Sequence, residues 1–139
     1  DIGSGTGIST EPFLKLNLEV FAIEPNKEMR EAAEKLLSVH KNFHSVNATA
    51  ENTTIKDHSV DIIVAGQAFH WFDKEKAKQE FKRILKPEGY VVLLWNDRRT
   101  DSTEFLRSYE DFLQLCGTDY KEVNHKNIQD KKIFDSFFG

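Results

Sequence analysis

Alternate glycines open the chain, in Asp1-Ile2-Gly3-Ser4-Gly5-Thr6-Gly7. Glycine carries no Cβ, so such a run can turn sharply and lie with its backbone against a ligand. A helix that follows aims its free N–H groups into the same crevice. This is the chemistry of a nucleotide-type cofactor loop. Glu24 stands nineteen residues after Gly5, and a carboxylate there can accept both hydrogens of a ribose diol; the alternative is a solvated surface Glu. His70, between Phe69 and Trp71, is a candidate general base or hydrogen-bond donor, or else a ring packed between aromatic neighbours. Arg98, in Trp95-Asn96-Asp97-Arg98-Arg99, offers an anion-binding guanidinium for a carboxylate substrate.

These residues need elements to position them. Ile8 to Leu16 reads as a short helix that must start late, capped by Ser9 or Thr10, so that Pro12 falls in its first turn. Leu18 to Ile23 is a buried strand. Asn26 caps a helix with Met29, Ala32, Ala33, Leu36 and Leu37 on one stripe. Phe43 to Ala48 and Val60 to Ala65 are further strands, the second mostly β-branched. Asp73 caps a helix running to Lys86 with Ala77, Phe81, Ile84 and Leu85 inward, ended by Pro87-Glu88-Gly89. Tyr90 to Trp95 has no polar alternation and is expected to be buried on both faces. Asp101, with Glu104 in a capping box, starts a helix with Phe105, Leu106, Tyr109, Phe112, Leu113 and Cys116 inward, and Gly117 stops it. Strands alternating with amphipathic helices imply a doubly wound, mostly parallel α/β sheet with helices on both faces. Ligands then sit outside the carboxyl ends of the strands: at residues 1–7, Glu24, 48–51, 66–71 and 95–98.

The chain has 139 residues, 39% hydrophobic and 30% charged, with a formal net charge of −4. That is the size and balance of a single globular domain, here 1–139, with no electrostatic pull toward nucleic acid or an anionic membrane. The six basic residues from Lys74 to Lys86, interrupted by Glu75 and Glu80, suit the outer face of an α/β helix. No apolar run is long enough to span a bilayer. The lone Cys116 excludes a disulfide framework, and a cytoplasmic protein is expected. His40, His44, His58 and His125 show no metal-ligand spacing, so no metal is expected.

The glycine spacing narrows the cofactor. A dinucleotide fingerprint needs a third Gly at position 8, where Ile8 stands, and no Gly-Lys-Ser/Thr follows for a Walker loop. The run Asp-Ile-Gly-Ser-Gly-Thr-Gly resembles the first motif of class I S-adenosylmethionine-dependent methyltransferases, whose fold is Rossmann-like. In that family the loop, here Asp1, Gly3, Gly5 and Gly7, borders the amino-acid part of S-adenosylmethionine. Glu24-Pro25-Asn26 with Met29 resembles the acidic-loop region; Met29 would cover the adenine or simply join the core. Ala50-Glu51, after the third strand, is similar to the family's adenine-reading pair, against the plainer reading of an exposed polar loop. Gln67-Ala68-Phe69-His70-Trp71-Phe72 resembles a small-molecule branch related to trans-aconitate methyltransferase. Arg83-Ile84-Leu85-Lys86-Pro87-Glu88-Gly89 is similar to the family's Leu-Lys-Pro-Gly-Gly turn, with Glu88 in place of the first Gly.

The resemblance implies methyl transfer to a small-molecule acceptor, with a carboxylic acid as the candidate. Gln67 would then contact cofactor or substrate, and Phe69, Trp71 and Arg98 the substrate. Phe69 and Trp71 have aromatic core as the competing reading. A non-catalytic binding module that keeps the cofactor fold is the alternative, and an NAD-dependent oxidoreductase is a more distant one. No Asn/Asp-Pro-Pro-Tyr/Phe sequence follows the fourth strand, as amino-group DNA methylation would require. In the family the strand feeding the loop is central. Only Asp1 and Ile2 of it are present here, and the C-terminal hairpin is also missing, so the chain is expected to be a fragment of a longer protein.

Overall fold

Strand and helix alternate as the hydrophobic periodicities require, in a computed structural model that describes residues 1–96, 99–118, 120 and 131–138. The chain divides into two units, Asp1–Trp95 with Phe138 and Asn96–Phe137. The first unit holds α1 (Glu11–Lys15), β1 (Val20–Ile23), α2 (Lys27–Leu37), β2 (Phe43–Val46), β3 (Val60–Gly66), a 3-10 turn (Phe69–Trp71), α3 (Lys74–Ile84) and β4 (Leu85–Leu94). β1 pairs in parallel with β2, and β3 with β4. Ile2 bridges the two pairs: it forms a parallel bridge with Ile23 and donates its N–H to Val64 O at 2.8 Å. The entry to the glycine turn therefore lies between β1 and β3. Beside it runs a groove of about 280 Å³ lined by Val20, Phe21, Ile62 and Val64.

Local chemistry explains the helix ends. Pro12 falls in the first turn of α1, where its missing N–H is harmless. The helix is shorter than the expected Ile8–Leu16, because the Ser9 and Thr10 hydroxyls turn back to donate to Asp1 Oδ2 at 2.6 and 2.7 Å. Asn26 Oδ1 accepts from Met29 N at 3.0 Å, and Asp73 Oδ1 from Lys76 N at 3.2 Å, so both expected caps form. α3 stops at Ile84, short of Lys86. Pro87 disfavours helical backbone at the residue before it, and Leu85 already pairs with Val60. Pro87-Glu88-Gly89 lies in an irregular stretch of β4, between Leu85 and Tyr90.

Three expected apolar faces need correction. On α2 only Ala33 and Leu37 are buried, while Met29 and Leu36 are largely exposed. β4 is not buried on both faces, because Tyr90, Val92 and Leu94 alternate outward. An apolar run does not by itself distinguish one-face from two-face burial. In the second unit, α4 (Glu104–Cys116) is capped by Thr103, whose hydroxyl accepts from Leu106 N at 3.2 Å, rather than by Asp101. Its buried position is Glu110, which accepts from Tyr120 Oη at 2.7 Å and Gln114 Nε2 at 3.1 Å. Phe105, Tyr109, Phe112 and Cys116 are exposed. α5 (Lys131–Phe138) follows.

Candidate functional site

All three loop glycines lie in the left-handed region, with φ of 69°, 55° and 89° at Gly3, Gly5 and Gly7. A Cβ at Gly3 would sit 2.4 Å from Ala68 Cβ, and one at Gly7 2.5 Å from Leu37 Cδ1. Both are therefore fixed by packing as well as by backbone. At Gly5 nothing lies within 4 Å, so this part of the loop faces open space.

Glu24 holds that open part in place. Its Oε2 accepts from Gly5 N at 2.9 Å and its Oε1 from Asn26 N at 2.8 Å. The residue is only 7% exposed, which overturns the reading of a solvated surface Glu. A carboxylate accepting two backbone N–H groups is well oriented, and each oxygen keeps a lone pair for a further donor. Arg30, which sequence reasoning missed, ties this end of β1 to the end of β2. It donates to Glu24 O at 3.0 Å, Pro25 O at 3.3 Å and Asn47 Oδ1 at 3.2 Å. Its one sequence signal is its place one turn after the Asn26 cap. Pro25 is exposed, and Met29 is 47% exposed, so the core reading of Met29 fails.

At the end of β2, Ala48 and Ala50 are buried. Glu51 Oε1 accepts from Asp73 N at 2.8 Å, so its carboxylate joins this loop to the start of α3. Burial works against the charged form of Glu51. Hydrogen bonds from the Asp73 N–H, the Thr49 side chain and its own N–H outweigh it, and the pKa falls below the usual carboxylate value.

After β3 the chain turns at Gln67, a non-glycine residue with φ of 58°. Such positions are uncommon and cluster at ligand sites. The 3-10 turn then presents His70 half-buried and Trp71 69% exposed, their rings 4.7 Å apart. Phe69 is fully buried and packs edge-on against Phe72 and Trp95. It is core beneath the turn, which corrects its expected place in a substrate pocket. Lys74 fastens the turn from α3. Its Nζ donates to His70 O at 3.1 Å and Phe72 O at 2.9 Å, and lies 5.2 Å from the Phe69 ring centroid. Desolvation lowers the Lys74 pKa, against the attraction of Asp73 and Glu51. Arg98 lies outside the described residues.

The donor set discriminates between cofactors. Gly5 N–H is already given to a carboxylate, so it does not offer a phosphate cradle, and Asp1, Glu24 and Glu51 would repel a pyrophosphate. Asp1 Oδ1 is buried with no hydrogen-bond partner, an acceptor suited to a cationic amine. Among the described residues no group of three His, Cys, Asp or Glu could hold a metal ion, and no helix is long and apolar enough to cross a membrane.

A parallel α/β arrangement with a glycine turn and acidic strand end defines a cofactor-binding domain of Rossmann-like type. The family model described as "Methyltransferase domain" matches residues 1–93. The chain belongs to this family, and its cofactor is S-adenosylmethionine. An uncharacterized methyltransferase of Mycobacterium tuberculosis is 36% identical over 98 residues, covering 70% of this chain and 39% of that protein. The malonyl-[acyl-carrier protein] O-methyltransferase of Halalkalibacterium halodurans is 34% identical over 98 residues, covering 66% and 36%. The solved structure of a candidate S-adenosyl-L-methionine-dependent methyltransferase from Methanococcus maripaludis superimposes with a TM-score of 0.74 at 26% identity, covering 99% of this chain and 65% of that one. The chain thus spans about two fifths of the length of those two relatives. The open Gly5, the paired Glu24 and the orphaned Asp1 acceptor fit the family's cofactor.

Proposed function

We propose that this chain forms the donor half of an enzyme that transfers the methyl group of S-adenosylmethionine to a small-molecule carboxylic acid. One observation carries the reading: Glu24 is buried and holds the Gly5 amide, beside a loop that opens to space. In this reading Glu24 also receives the ribose hydroxyls, with Pro25 and Met29 beside it. Ala50 and Glu51 meet the adenine. Asp1, Gly3, Gly5 and Gly7 border the methionine part, with Asp1 Oδ1 toward its amino group and Gln67 nearby. When bound, the cofactor supplies an electrophilic methyl group on a sulfonium leaving group.

This chain's own residues would then align the acceptor and exclude water. A carboxylate acceptor carries no proton to remove at neutral pH, so His70 would donate a hydrogen bond rather than act as base. Trp71, exposed on the turn, would supply an apolar surface against the acceptor. Attack of an anion on a cationic methyl donor neutralises charge, and apolar surroundings favour that. Arg98 is the candidate counter-charge for a second carboxylate. Two lines support the carboxylic-acid class: the Gln67 to Phe72 resemblance to the trans-aconitate branch, and a relative named for O-methylation of a malonyl group.

The test is conversion of S-adenosylmethionine to S-adenosylhomocysteine across a panel of mono- and tricarboxylic acids. Turnover with a carboxylic acid supports the reading. Tight binding of S-adenosylhomocysteine with no turnover on the panel rejects the carboxylic-acid acceptor and favours a non-catalytic binding module. Preference for NAD would reject the cofactor assignment.

A further inference from the structure

The loop proposed to meet the adenine, residues 48–56, is poor in backbone pairing of its own. Within it an isolated bridge joins Thr49 and Asn52, with Asn52 N donating to Thr49 O at 3.3 Å, Ile55 N donates to Thr53 Oγ1 at 3.3 Å, and Thr54 takes a φ of 61°. Its position is set from α3 instead. At one point Glu51 accepts from Asp73 N, at the helix start. Two turns further on, Glu80 Oε1 accepts from both Thr53 N (2.7 Å) and Thr53 Oγ1 (2.6 Å). Asp73 and Glu80 are seven residues apart, which puts them on one helix face about 10 Å apart along the axis.

Glu80 is an unusual residue to find there, being 7% exposed, while Thr53 is fully buried. Arg83 neutralises it through Nε to Oε2 at 2.8 Å and Nη2 to Oε1 at 2.7 Å. The Nη1 of Arg83 reaches the Asp57 carboxylate, past the far end of the same loop. A buried ion pair is a weak source of stability compared with well-packed apolar residues, because desolvation offsets the attraction. What it gives is direction: four donors converge on the two carboxylate oxygens, and two belong to one loop residue. An apolar side chain at position 80 could fill the volume but could not fix the Thr53 backbone.

We propose that Glu80, backed by Arg83, is a positioning residue that sets the affinity of the adenosine part of the cofactor by fixing Thr53 and, through it, Ala50 and Glu51. The inference rests on the proposed cofactor site. It assigns a role in binding to a charge on the far side of the loop from the ligand. The acceptor-side turn, fastened separately by Lys74, is not expected to depend on it.

The experiment compares the wild-type protein with Glu80→Gln and Thr53→Val, by calorimetric titration with adenosine and with S-adenosylhomocysteine at a temperature where circular dichroism shows each folded. Glu80→Gln is expected to weaken both ligands by the same factor, about tenfold, and Thr53→Val by about threefold. In turnover the KM for S-adenosylmethionine should rise while kcat at saturation stays within twofold, a split that simple loss of stability would not give. If Glu80→Gln does not fold, Thr53→Val, which leaves the Glu80–Arg83 pair intact, carries the test. Wild-type binding of S-adenosylhomocysteine with unchanged affinities in the folded variants would overturn this inference alone. Failure of the wild type to bind it would overturn the proposed cofactor site as well.

Discussion

The glycine loop ahead of α1 and the turn after β3 solve the same problem differently. The glycine loop is held through its backbone, by three left-handed glycines and by the Glu24 carboxylate at the end of β1, which accepts from the amides of Gly5 and Asn26. On the β3 side, the Phe69–Trp71 turn is held from outside. Lys74 of α3 grips its carbonyls, and Phe69 anchors it in the core. On the β3 side Trp71 stands exposed, where the proposed acceptor would meet it. The contrast explains why the donor is easier to read than the acceptor.

That contrast can be broken by substitution. Gly3→Ala should have the largest effect, because its Cβ would lie 2.4 Å from Ala68 Cβ on a backbone with φ of 69°. A loss on the order of 3 kcal/mol is expected from overpacking together with backbone strain. Gly5→Ala, with nothing within 4 Å, should lose only about 1 kcal/mol from backbone conformation. Urea unfolding of the two variants measures the difference, and equal losses would mean that the loop is not packed as described.

Acid should come next in size. The Glu80 pKa is held down at about 2 from a usual 4.5, chiefly by the Arg83 hydrogen bonds, with Thr53 adding to them against the cost of burial. A depressed folded-state value means that this stabilisation is fully present above about pH 4.5. It is lost as pH falls toward 2. Its size is at most about 3 kcal/mol. Glu80→Gln should flatten the stability profile across that window; a profile as steep as the wild type's would show that other carboxylates carry the acid sensitivity.

The smallest effect is expected on the acceptor side. Lys74→Met keeps an apolar chain over Phe69 but removes both carbonyl contacts; because Lys74 is only partly buried, water screens them and the loss is on the order of 1 kcal/mol. It should lower turnover with the acceptor while leaving cofactor affinity unchanged. A matching fall in cofactor affinity would show that the two sides are not independent.

The glycine loop and the helix starts were legible in the sequence because residue type alone encodes them. Glycine at positions 3, 5 and 7 announces left-handed backbone, Asn26 and Asp73 announce helix starts, and Pro12 forces a late one. The sequence did not display which charged residues are buried. Glu80 and Glu110 look like any surface Glu on a helix, and only partners outside their helices, Thr53 and Tyr120, reveal them. The same limit explains the exposed Met29, Leu36 and Tyr90: periodicity says that a face is apolar, but not what covers it. Thr103 displaced Asp101 as a cap because both are good capping residues two positions apart.

Glu24 is the residue proposed to organise the donor site. Calorimetric titration with S-adenosylhomocysteine, for the wild type and for Glu24→Ala with matched unfolding curves, tests it directly. The wild type should bind it saturably, one to one. Removal of the carboxylate should weaken binding by about 1.5–3 kcal/mol, the usual worth of hydrogen bonds to a charged group, in a domain that still unfolds cooperatively. Unchanged affinity in a folded Glu24→Ala protein would contradict it.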